Sequence, residues 1–93
     1  MAKKKFVLMK SKQRLDRAAA ADFLRQLADK LESGTVSLNQ AGEQLQLEIP
    51  DQVVLEVEAE DKVKPRGTKR QLEIEIEWVE GDTSTKRQPI SLD

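Results

Sequence analysis

The chain has 93 residues, a formal net charge of −1, 38% hydrophobic and 35% charged residues, and neither cysteine nor histidine nor tyrosine. That length suits one small domain, and the residue types present exclude disulfides, thiolate or imidazole metal ligands, and the usual nucleophile–base pairs of catalysis. Charge is sorted along the sequence: residues 1–34 carry +5, 35–61 carry −7, 62–70 carry +5, 71–82 carry −5 and the remainder +1.

The N-terminal Met1-Ala2-Lys3-Lys4-Lys5 is basic, but only four apolar residues, Phe6 to Met9, follow before Lys10. A secretory signal needs an apolar region of roughly 7–15 residues, and no stretch reaches the ~18 of a membrane helix. A cytoplasmic protein without a membrane partner is therefore expected. Phe6 to Lys10 reads as a short strand, with Phe6 and Leu8 inward and Lys5, Val7 and Met9 outward.

A helix follows. Asp16 is a good N-cap, since its carboxylate can accept from an unpaired amide of the first turn. Arg17 to Ser33 contains no proline or glycine and is rich in alanine and leucine, and at 100° per residue Ala20, Phe23, Leu24, Leu27 and Leu31 form one apolar stripe. Gly34 stands where a left-handed residue ends a helix.

Thr35 to Asn39 is extended in character, Gln40-Ala41-Gly42 is a turn, and Gln44 to Ile49 alternates with Leu45, Leu47 and Ile49 inward. Pro50-Asp51-Gln52 reads as a reversal that joins this strand to the next as a hairpin. That next strand, Val53 to Glu60, sets Leu55, Val57 and Ala59 against Glu56, Glu58 and Glu60. Asp61 to Arg70 reads as a polar loop broken by Pro65 and Gly67. Leu72 to Trp78 then alternates without exception: Leu72, Ile74, Ile76 and Trp78 on one side, Glu73, Glu75 and Glu77 on the other. Residues 81–93 show no periodicity and are expected to form a frayed tail.

These elements predict one α+β domain over residues 1–80, a two-layer sandwich in the order β-α-β-β-β. Its antiparallel sheet would have four to five strands, with the single helix on one face. Six glutamates would then share the uncovered face, opposed in three pairs.

Ala21-Asp22-Phe23-Leu24-Arg25-Gln26-Leu27-Ala28-Asp29, Leu31-Glu32-Ser33-Gly34, Leu45-Gln46-Leu47-Glu48-Ile49-Pro50-Asp51, Leu55 to Glu60 and Leu72 to Trp78 stand in an order and spacing that resembles the amphi-Trp domain family. These are small bacterial and archaeal proteins named for an amphipathic strand ending in tryptophan. The resemblance covers roughly residues 5–79. It implies no catalytic or binding residue, because the family carries none to transfer. Val7 and Met9, where polar residues are expected, and the Arg-Ala-Ala helix start depart from the family's look.

The glutamate stripe has two readings. Charges on an open sheet face keep a β-prone apolar strand from aggregating, and the same face can dock a basic partner. A metal is disfavoured, because carboxylates two apart on a strand lie ~7 Å apart; no cofactor is expected, the four glycines being isolated. Trp78 reads as a core residue closing one end of the sandwich, or as a stacking platform for a ligand.

The expected function is that of a non-enzymatic protein-interaction module. Its candidate binding face comprises Glu56, Glu58, Glu73, Glu75 and Glu77 with Val7 and Met9, and the partner is another protein or a second copy, leaving monomer and homodimer open. The alternative is weak nucleic-acid contact through Lys62, Lys64, Arg66, Lys69 and Arg70 with the N-terminal lysines. It is disfavoured by the balanced charge and by the lack of aromatic residues to stack on bases.

Overall fold

The computed structural model describes residues 4–80 and Leu92; the expected tail over 81–93 otherwise lies outside the described residues. The elements run α1 (Arg17–Ser33), β1 (Thr35–Gln40), β2 (Glu43–Glu48), β3 (Val54–Lys64) and β4 (Gly67–Glu77). The α+β class stands: among the described residues there are one helix and four strands in antiparallel pairs. The chain divides into two compact units, Met1–Asp51 and Gln52–Asp93.

In the first unit, α1 begins and ends for the chemical reasons its sequence supplies. Asp16 caps it, Oδ1 accepting from the Ala19 amide at 2.8 Å, which satisfies one of the first-turn donors. Gly34 adopts φ 91° and donates to the carbonyls of Leu31 and Lys30 at 3.1 and 3.2 Å, a left-handed termination that costs glycine no Cβ strain. The chain then turns directly into β1, which pairs with β2 from Thr35↔Glu48 to Gln40↔Glu43. An Ile49 amide bond to the Gly34 carbonyl at 2.8 Å extends this ladder. The loop is only Ala41-Gly42, with φ 48° and 85°; two successive positive φ values make the turn whose twist matches paired strands.

The helix packs on β1, and Val36 is the buried residue there, 5% exposed. Leu27, Leu31, Leu38, Leu45, Leu47 and Ile49 are half-buried around it. The expected helix stripe is corrected in part. Ala20, Phe23 and Leu24 are exposed while Ala21 is half-buried, because the six-residue strands of this unit are too short to cover the whole helix.

The expected first strand is also corrected. Phe6 to Lys10 carries no strand pairing, so the element order opens on the helix. Phe6, Val7 and Leu8 are exposed, and Met9 is the half-buried member. Four apolar residues in a row have no alternation to fix a face, and no neighbouring strand offers them a ladder. The segment is held instead by a bond from Gln40 Nε2 to the Lys10 carbonyl at 2.9 Å.

The second unit is a single long hairpin. β3 and β4 pair from Val54↔Glu77 to Lys64↔Gly67 through the two-residue loop Pro65-Arg66. The expected loop over residues 61–70 is therefore strand for most of its length. A single four-to-five-strand sheet is not observed: the strands form two two-stranded sheets, β1-β2 and β3-β4. Nor does Pro50-Asp51-Gln52 connect a hairpin, since β2 takes β1 as its partner and β3 takes β4. Two-residue loops bring consecutive strands together at the smallest closure cost, and both hairpins use one.

Candidate functional site

The register of β3 and β4 decides which side chains share a face, because directly opposed residues of an antiparallel pair project to the same side. On one face Leu55 opposes Ile76, Val57 opposes Ile74 and Ala59 opposes Leu72. On the other, Glu56 opposes Glu75 and Glu58 opposes Glu73, with Glu60 opposite Gln71 and Val54 opposite Glu77. All six glutamates do share one face, but as two opposed pairs rather than the expected three.

The electrostatics follow from this register. The Glu56 carboxyl is held above the usual glutamate range, chiefly by Glu75 directly across from it, then by slight desolvation and by Glu58 and Glu77. Three further carboxylates around one is a field that favours the protonated form. Glu73, by contrast, accepts a hydrogen bond from the Gln71 amide on its own strand.

Towards the loop the same face changes sign. Lys62 opposes Lys69, and Lys64 opposes Gly67. Lys62 Nζ lies 3.6 Å from Glu60 Oε1, at the boundary between the acidic and basic halves. The five basic residues proposed for nucleic-acid contact are therefore not one surface. Lys62, Lys64 and Lys69 share the glutamate face, Arg66 sits in the loop, and Arg70 projects to the other side. There Arg70 is already engaged, its Nε and Nη2 donating to Asp61 Oδ1 and Oδ2 at 2.8 and 3.1 Å. This fork lowers the Asp61 carboxyl and raises the Arg70 guanidinium from their ordinary values.

Sequence reasoning missed the Asp61–Arg70 pair. Its signal was present: the two residues stand equally far from Pro65-Arg66, and both fall at the apolar phase of their strands. Charge at those positions reads as loop until the two are seen to neutralise each other across a ladder.

The apolar face of this hairpin is open within its own unit. Leu55, Val57 and Leu72 are 62%, 61% and 68% exposed. Trp78 continues the phase of Leu72, Ile74 and Ile76 but lies just past the end of β4, half-buried, with Nε1 donating to Glu80 Oε2 at 3.0 Å.

Val7 and Met9 belong to the first unit and the glutamates to the second. Met9 borders a shallow cleft of about 430 Å³ with Phe23, Leu38 and Gln40. Among the described residues no group of three or more carboxylates gathers in a way that holds a metal ion, and no helix is long and apolar enough to cross a membrane.

A family model, that of the Amphi-Trp domain, matches residues 1–93. No curated protein and no solved structure matches the chain.

Proposed function

The chain belongs to the Amphi-Trp domain family, and from that premise we propose that it is a non-enzymatic interaction module whose acidic hairpin face docks a basic protein partner. One observation carries this reading: the β3–β4 register places Glu56, Glu58, Glu73, Glu75 and Glu77 on one side, with Glu56 directly opposite Glu75 and Glu58 opposite Glu73. Solubility alone requires scattered charge. Opposed like charges on a two-stranded hairpin work against its pairing, and a cationic partner relieves the repulsion that holds Glu56 above its ordinary range.

Docking of this kind is steered by long-range attraction and screened by salt. The test is affinity capture from native lysate with the full chain and with a variant carrying Glu73→Lys, Glu75→Lys and Glu77→Lys. The expected result is a set of basic proteins retained by the unaltered chain at low salt, released at high salt and lost with the variant. An identical captured set for both chains overturns the proposal. Nucleic acid is the weaker reading, because the basic residues are split between two faces and Arg70 is tied to Asp61.

A further inference from the structure

β3 is an eleven-residue strand without proline that pairs, among the described residues, with β4 alone. Its other edge carries unpaired backbone amides and carbonyls, which is a template for another strand. Natural edges of this length are usually blunted by a bulge, a proline or an inward-pointing charge; β3 pairs in continuous register from end to end without proline, and its one charge on the apolar face, Asp61, is neutralised by Arg70 within the hairpin.

The sequence along this edge is self-complementary about Glu60. Two residues to either side stand Glu58 and Lys62, four to either side Glu56 and Lys64, and three to either side Val57 and Val63. On the glutamate face charge is antisymmetric about that point; on the other face Val57 and Val63 match, while Ala59 stands against Asp61. A two-fold axis through residue 60, perpendicular to the hairpin, would set two β3 strands antiparallel and keep the like faces of both hairpins on the same side.

We propose that this edge pairs with a second copy of the chain, β3 to β3, to make a four-stranded sheet in the order β4-β3-β3-β4. In that register Glu58 faces the partner's Lys62 and Glu56 faces the partner's Lys64, and the symmetry repeats both ion pairs. On the apolar face Val57 meets the partner's Val63, which is 87% exposed in the single chain. The two Glu60 residues meet at the axis, each with its own Lys62 alongside at 3.6 Å. The outer edge of β4 has no comparable pattern. Centred on Leu72, it offers one charge pair, Glu75 against Lys69, where β3 offers two, and sets Ile74 against Arg70. The proposal goes beyond the acidic docking face, since Glu73, Glu75 and Glu77 on β4 remain available to a different partner.

The test is a charge swap read by sedimentation equilibrium of the full chain at high micromolar concentration, in low and high salt. One variant carries Glu56→Lys and Glu58→Lys; the other carries Lys62→Glu and Lys64→Glu. Neither opposes like charges across the hairpin, and Lys62→Glu gives up only the exposed Lys62–Glu60 contact. The first replaces the opposed pairs Glu56–Glu75 and Glu58–Glu73 with opposite charges, and the second does the same for Lys62–Lys69. The unaltered chain is expected to sediment as a dimer that salt weakens. Each variant alone is expected to sediment as a monomer, because its edge then faces like charge. An equimolar mixture of the two is expected to regain the dimer mass, as every ion pair is restored in the heterodimer. A monomeric unaltered chain, variants that stay dimeric, or a mixture that stays monomeric each overturn the proposal.

Discussion

The two hairpins are built from the same alternation and have different surroundings. β1–β2 follows a capped helix that lies against it, and Val36 is consequently removed from solvent. β3–β4 is nearly twice as long and has a more regular pattern, yet none of its side chains is buried among the described residues. Regular alternation specifies a face and a register. It does not supply the layer that covers the face, and an isolated two-stranded hairpin is at best marginal in water. The more regular element of this chain is therefore the one that most needs something beyond itself.

The contrast is sharpest in paired valine truncations. Val36→Ala removes two methyl groups from a site 5% exposed, and is expected to lower stability by about 2 kcal/mol from lost transfer energy and the cavity left behind. Val57→Ala acts at a site 61% exposed and is expected to cost less than about 0.5 kcal/mol. Urea denaturation followed by Trp78 fluorescence and by circular dichroism measures both. Equal costs would break the comparison, by showing that the apolar face of β3–β4 is covered in solution.

The loops differ in the same sense and lead to a smaller effect. Ala41 holds φ 48°, a left-handed conformation that a residue with a Cβ resists, while Gly42 at φ 85° fits its place. Replacing Ala41 with glycine or asparagine is expected to raise stability by about 1 kcal/mol. In the second loop the positive φ falls on Gly67, at 135°, so no residue with a side chain is strained there. The same replacements at Arg66 are expected to give no gain. Thermal unfolding of the four variants checks both halves; a gain at Arg66 equal to that at Ala41 would sink the turn argument.

What the sequence disclosed follows from which interactions are local. Asp16 and Gly34 act within one helical turn of themselves, so both ends of α1 were legible as chemistry. The strand faces were legible from period-2 alternation, and all six glutamates do share a side. Strand pairing was not legible, because alternation leaves the choice of neighbour open; the β2–β3 hairpin and the single sheet failed on that point. Phe6 to Lys10 has the apolar content of a strand but no alternation to fix a face, and it forms none. Residues 61–70 read as a loop in sequence because a cross-strand ion pair, Asp61 with Arg70, looks like polar sequence until its register is known.

Titration separates the hairpins last and most finely. Glu48 on β2 is lowered from the ordinary glutamate value by hydrogen bonds from Gln46 and Thr35, whereas Glu56 on β3 is raised, mainly by Glu75. The signs for stability are opposite. For Glu48 the folded state binds protons less readily than the unfolded state, so its contribution is present above the ordinary pKa and is lost as pH falls through the lowered value. For Glu56 the folded state binds protons more readily, so stability falls as pH rises from the ordinary value through the raised one. Carboxyl-carbon NMR titration is expected to show Glu56 titrating at higher pH than Glu48. Glu75→Gln is expected to return Glu56 toward the ordinary value, because the charge directly opposite is its largest perturbation. Glu48 should not move, since its shift comes from neutral donors on β1 and β2. A Glu56 midpoint unchanged by Glu75→Gln would mean that the Glu56↔Glu75 register is not the one populated in solution, and the acidic face built on that register would lose its basis.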